Sequence, residues 1–231
     1  MKIELCAASE LAIVLASAYG CDRIELCQQL EVGGITPSHG LQQFAKSRVE
    51  THVLIRPRGG DFVFSSAEKE VMLMDIAAVK RNDLAGVVIG ALTQANTLDI
   101  DWLKEASKIA GKLELTCHRA FDDAVDWQDA LESLISLGFR RVLTSGQAPN
   151  ALLGKELLRS FVDQSKNRIE IMAGGGINVA NIANIYAEVK PNAIHFSATE
   201  WRQIGVGSRY ETAALCIDET KLKQLLNAVN R

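Results

Sequence analysis

The chain has 231 residues, 48% of them hydrophobic, and a formal net charge of −3. That length and apolar content supply a core for one domain over 1–231, and the mildly acidic balance excludes the clustered basic surface of a nucleic-acid binder. Five cysteines, odd in number and without a CxxC pair, point to reduced thiols in a cytoplasmic setting rather than to a disulfide framework or a zinc ribbon.

The first residues imitate a secretory signal, with Lys2, an apolar run at 11–16 and then Ala16, Ser17 and Ala18. Glu4 and Glu10 interrupt the apolar stretch, and cleavage there would remove a strand, so this segment is read as part of the fold. No run of about 18 apolar residues is present, so no membrane span is expected. In chain order, β-rich runs occur at 3–7, 23–27, 52–56, 86–90, 113–118, 141–145, 169–174 and 193–197. Helical periodicity occupies 9–19, 37–46, 66–81, 102–110, 127–137, 152–164 and 179–188, and a last helix covers 219–229. Start signals are Thr36 before Pro37, Asp126 before Trp127, and Asn178 after a glycine run. Eight alternating units without a break in composition predict a (β/α)8 barrel of the TIM type, an α/β fold in a single domain. The rival, an open doubly wound sheet, would carry a GxGxxG turn after its first strand, and none is present.

Side chains alternate between the faces of a strand, and the outward face of a barrel strand packs on helices. Ile3, Leu5 and Ala7 therefore face outward, and Glu4 and Cys6 inward. The same parity turns Glu25, Cys27, Arg56, Glu114, His118, Glu170 and His195 toward the lumen. Ionised groups are rarely buried without a partner. Glu114 and Glu170, near the starts of their strands, are open to simple pairing with cations such as Lys2 or Arg168. Arg56, His118 and His195 lie at strand ends, where barrel active sites are built.

The segments past the strand ends form an ordered set. Arg23-Ile24-Glu25-Leu26-Cys27 leads to Gly33-Gly34-Ile35-Thr36-Pro37-Ser38, then Ile55-Arg56-Pro57-Arg58-Gly59-Gly60-Asp61-Phe62 and His118-Arg119-Ala120-Phe121-Asp122. Leu143-Thr144-Ser145-Gly146, Met172-Ala173-Gly174-Gly175-Gly176 and His195-Phe196-Ser197-Ala198 complete it. Together they resemble the CutC family, named for a role in copper homeostasis, from Ile3 to about Ala198. The resemblance implies a (β/α)8 barrel and a homo-oligomer. The chain departs from the family pattern at Cys21, Phe64 and Cys117, where alanine, tyrosine and an aromatic are usual, and its tail after Trp201 is shorter.

Two chemistries are open to these residues. Cu(I) is soft and prefers thiolates. Cys6 and Cys27 project inward from adjacent strands, about 4.8 Å apart in a sheet, and His118 or His195 is placed to complete a copper site. Alternatively, Glu25, His118, Asp122 and His195 supply acid–base groups for an enzyme acting on a small anionic substrate. Arg56, Arg58, Arg119, Gly174, Gly175 and Ser197 would then bind the anion, with the Gly174–Gly176 turn offering backbone donors. Trp201, beyond the last strand, is read as a subunit contact or a lid over the mouth.

Overall fold

The computed structural model describes residues 1–229. Eight parallel strands close into a barrel: β1 (Lys2–Ala7), β2 (Arg23–Leu26), β3 (Thr51–Leu54), β4 (Gly86–Ile89), β5 (Glu114–Cys117), β6 (Arg141–Thr144), β7 (Glu170–Ala173) and β8 (Ala193–Phe196). β1 closes the ring by pairing in parallel with both β2 and β8. The helices α1 (Glu10–Ala18), α2 (His39–Ala45), α3 (Ser66–Arg81), α4 (Ile100–Ala110), α5 (Trp127–Ser136), α6 (Lys155–Ser165) and α7 (Ile182–Val189) follow the first seven strands. After β8 an antiparallel hairpin, β9 (Thr199–Ile204) and β10 (Thr212–Ile217), precedes α8 (Glu219–Ala228). No helix among the described residues is long and apolar enough to cross a membrane.

Local chemistry sets the boundaries. Ser65 caps α3 in a reciprocal box with Glu68, and Asp126 caps α5 as expected. Four starts differ from expectation, one of them α4, which begins two residues early at Ile100 under an Asp99 cap. Ser38, not Thr36, accepts from Leu41 and caps α2. Asn178 holds a turn instead of opening a helix: its side chain accepts from Ala180 while Asn181 donates to the Gly176 carbonyl, so α7 waits until Ile182. Likewise Asn150 accepts from the Leu153 amide and delays α6 to Lys155. The hairpin was not foreseen, because its strands are largely exposed and carry no clean apolar alternation.

One large apolar layer fills the space between strands and helices, and it contains every outward residue predicted for β1. The lumen is different. Apolar contacts there are confined to two small clusters, Cys6, Cys27, Leu54 and Val88 toward one end, and Leu143, Met172 and Ala193 on another side. Charged groups take most of the rest. At the floor, Arg141 is fully buried and reaches Glu114, Glu170, His52 and Thr116. Glu114 and Glu170 are therefore paired, but with Arg141 rather than with Lys2 or Arg168; Arg168 is taken by Glu132 on the surface. His52, Glu50 and Glu114 lie close enough to suggest a metal cage. Arg141 can only donate, so the Nδ1 of His52 must accept, which leaves the proton on Nε2 facing Glu50 at 3.4 Å. Ligation through Nε2 would shift the proton to Nδ1 and set it against the Arg141 guanidinium, so these groups are read as an ion-pair floor.

Removing Arg141 strands its partners. Breaking a buried pair costs roughly 3–5 kcal/mol. Glu114 stays half-exposed and Glu170 keeps Arg140 at 2.9 Å, so Arg141→Met is expected to cost about 3 kcal/mol, at the low end of that range. The urea midpoint should fall while the slope of the transition is unchanged.

Candidate functional site

The strand parity places a second buried chain of charge above the floor. Arg23 begins β2, shares the inward face with Glu25, and is fully buried. Its Nε donates to Glu4, and its other arm reaches the Met172 sulfur at 3.3 Å. The second oxygen of Glu4 meets His195 Nδ1 at 2.8 Å, and His195 Nε2 lies 3.6 Å from Glu25. Burial alone would raise the Glu4 carboxyl, but the bond from His195 and the charges of His195 and Arg23 outweigh it and hold the group below the usual carboxylate range. Burial works against a charged His195 as well. The contacts with Cys6 and Glu4 and the charge of Glu25 overcome it and raise that imidazole well above its ordinary value. Glu25 is pushed up, first by burial and then by Glu4, with His195 opposing.

Cys6 sits at the upper edge of this chain. Its Sγ lies 3.3 Å from Glu25 and 3.6 Å from Cys27 Sγ. The Cys27 contact, then burial, raises the Cys6 thiol well above its ordinary value. Cys27 follows β2 directly and is wholly buried beneath the Gly33–Gly34 turn. Gly34 has φ +86°, and a Cβ there would come 2.8 Å from the Leu54 side chain and 3.6 Å from the Cys27 sulfur. Only glycine lets the loop close this tightly over the thiol. Cys117 faces the outer apolar layer and Cys216 lies on the hairpin, so neither joins the pair.

The barrel mouth encloses a cavity of about 460 Å³. Cys6, Glu25 and His195 form one wall, and Arg56, His118 and Arg119 line it elsewhere with Gly175, Gly176 and Ser197. His118 Nδ1 accepts from the Ala120 amide, so the neutral ring carries its proton on Nε2. Burial and then the Arg56 charge lower the His118 pKa to about 3. Apolar residues, including Leu30, Leu54, Phe62 and Ile177, supply the remaining surface. These were not singled out in the sequence, nor were Arg23 and Arg141, although parity alone would have turned both arginines inward.

Four expected members stand outside the cavity: Cys27, buried beneath the Gly33–Gly34 turn, and Arg58, Asp122 and Gly174. Arg58 is held by Glu68 at 2.6 Å, by Asp61 at 3.0 Å and by carbonyls of its own loop. Asp122 accepts from Thr144, Ser145, Gln147 and Arg119, which makes it a clasp between the loops after β5 and β6. Gly174 lies under the side chains of Leu143 and His195, below the cavity wall.

The sequence pattern of the CutC family matches residues 1–200. A CutC family protein of Glaesserella parasuis is 42% identical over 205 residues, covering 88% of this chain and 84% of the relative. The human copper homeostasis protein cutC homolog is 42% identical over 215 residues, 92% of this chain and 79% of the human one. The crystal structure of a CutC protein from Streptococcus agalactiae superposes with a TM-score of 0.80 at 31% identity, covering 84% of this chain and 97% of that one. Thiamine phosphate pyrophosphorylase from Pyrococcus furiosus, at 15% identity and a TM-score of 0.61, shares the fold alone.

His118 gives the site a measurable signature. Unfolded, it takes up a proton near pH 6.5; folded, only near pH 3. Between these values the unfolded state binds more protons, so stability should fall as pH drops below 6.5. His118→Asn keeps an acceptor for the Ala120 amide and removes the titration. The loss of stability between pH 7 and pH 5, measured by urea midpoints, should be smaller in that variant than in the parent.

Proposed function

The chain belongs to the CutC family, and on that premise we propose that it serves copper homeostasis by holding Cu(I) between Cys6 and Cys27. The observation that carries this reading is the 3.6 Å separation of the two sulfurs, Cys6 in the wall of the mouth and Cys27 buried just behind it. Thiolates around a metal such as zinc bind at about 2.3 Å, so two sulfurs sharing an ion can stand up to about 4.6 Å apart. The pair meets that limit without movement of the strands. Soft thiolates select Cu(I) over hard cations, and the apolar neighbours Leu54 and Val88 give the pair a dry surrounding. His195 also lies within reach of Cys6 and Glu25. Its raised pKa favours the imidazolium, which has no lone pair to offer, so the sulfurs are the preferred donors. Because Cys6 is held protonated, taking up the ion must release a proton, and affinity should rise with pH.

A cytoplasmic setting fits this reading, since all five cysteines are free thiols. Self-association through the hairpin is also proposed. Trp201, Val206 and Tyr210 are 62%, 75% and 88% exposed there, an apolar surface that the barrel does not use. Trp201→Ser combined with Tyr210→Ser should shift the protein toward smaller species in sedimentation velocity, and an unchanged profile would remove the hairpin from the interface.

The copper site is tested by anaerobic titration of the reduced protein against a competing Cu(I) chelator. One equivalent should bind, and Cys27→Ser should weaken binding by more than about 100-fold, since even losing an outer-shell partner costs roughly 10–100-fold. Equal affinity in the variant would refute the site and leave the fold untouched.

A further inference from the structure

The wall of the mouth away from the cysteines holds more donors than the protein satisfies. Arg56 is only 5% exposed, and its terminal nitrogens donate to the carbonyls of Val32, Gly34 and Gly60. No carboxylate among the described residues forms an ion pair with it: Glu25 and Asp61 act on it only through space, and Asp61 is engaged by Arg58. Its Nε is buried without a hydrogen-bond partner, and so is Nε2 of His118, which is 4% exposed. Both side chains line the cavity and flank one ring: His118 stacks 4.7 Å from Phe62, and the Arg56 guanidinium lies 5.0 Å over it. A buried cation without a bonded carboxylate is only partly compensated, and each unmet buried donor adds to the cost.

A second set of free donors lies after β7. The amides of Gly175, Gly176 and Ile177 donate to no group among the described residues, and all three residues line the cavity. Gly175 and Gly176 have φ of +91° and +70°, which makes this a tight turn, and turns with successive free N–H groups are a known backbone form for holding anions. A Cβ at Gly175 would come 3.3 Å from the Arg119 guanidinium, so that cation rests directly against the turn. Arg119 spends one arm on Asp122 and one on Ser145 and remains partly exposed.

We propose that the mouth binds a small organic oxyanion, its charged head on the Gly175–Ile177 amides and Arg119, and a second oxygen on Arg56 Nε–H and His118 Nε2–H. The carbon body lies against Leu30, Phe62 and Ile177. The neutral state of His118 leaves it a donor throughout the physiological range. A phosphate ester and a carboxylate both satisfy the head, and an acceptor oxygen elsewhere on the molecule satisfies the second pair. The proposal is independent of copper, because neither cysteine supplies a contact.

The test uses the whole chain, reduced and kept metal-free with a chelator, so that its result is separate from that of the copper titration. Probes are 3-phosphoglycerate, malonate and inorganic phosphate, against potassium chloride at matched ionic strength. 3-Phosphoglycerate or malonate should raise the melting temperature saturably, and inorganic phosphate should bind at least about 10-fold more weakly because it lacks the second oxygen group. Because 3-phosphoglycerate carries a carboxylate as well, its binding without that of malonate assigns a phosphate head, whereas binding of malonate shows that a carboxylate suffices. Arg119→Met, at a partly exposed position, should weaken binding about 10-fold without loss of folding by circular dichroism. In ¹⁵N NMR, His118 should appear as the Nε2–H tautomer and its Nε2 signal should move on titration. Stabilisation no greater than that of chloride would overturn the proposal. So would binding that leaves the His118 signal unmoved and is unchanged by Arg119→Met.

Discussion

The interior depends on the Glu4 carboxylate, which lies between Arg23 and His195 and is sealed from water. Barrel interiors are usually filled by layers of branched aliphatic side chains. Here a single carboxylate compensates a buried guanidinium on one side and fixes an imidazole on the other. Without it, Arg23 would be an uncompensated charge in the lumen and His195 would lose the bond that orients its ring. His195 in turn faces Glu25 and Cys6, so the state of the mouth is set by a group one layer below. Arg141 performs the equivalent duty at the floor, where it satisfies Glu114 and Glu170. Two arginines thus replace much of the apolar filling, and each must find its acids for the barrel to close.

Above these layers the mouth divides into unlike walls. One carries thiols, a carboxyl held up by burial, and an imidazole held charged. The other carries neutral or cationic donors with unfilled bonding capacity. On the proposed readings the first wall is where a soft cation would bind and the second where an oxyanion would, with apolar patches between them. Loops set this division more than strands do. The Gly33–Gly34 turn closes over Cys27, and the Gly175–Gly176 turn bears on Arg119. Asp122 holds the loops after β5 and β6 together from below.

Much of this was legible in the residues, because a barrel strand has a strict period of two. The inward positions of Glu4, Cys6, Glu25, Arg56, His118 and His195 follow from the apolar neighbours that alternate with them. Arg23 and Arg141 obeyed the same parity, but they open their strands, where a charged residue reads equally well as a solvated flank. The memberships of Arg58 and Asp122 were not legible for another reason. Both stand in loops that strand parity does not govern: Asp122 meets groups at the end of distant β6 and in the loop after it, while Arg58 turns back on Asp61, Glu68 and carbonyls of its own loop. The late starts of α6 and α7 have a local cause, side-chain bonds from Asn150, Asn178 and Asn181 that compete with the helix. The hairpin left no periodic signal, since neither of its faces is buried in the barrel.

The pairing of β1 with β8 joins Glu4 to His195 across 191 positions of sequence. Closing so long a loop is entropically slow, and contacts of this range lag behind local ones during folding. A chain emerging from the ribosome carries Cys6, Glu25 and Cys27 long before it carries the strand that completes their surroundings. The thiol pair can therefore exist in a nascent chain, while its orienting imidazole arrives only with the final barrel strand. Formation of the Glu4–His195 contact marks the moment at which synthesis has supplied every part of the ring.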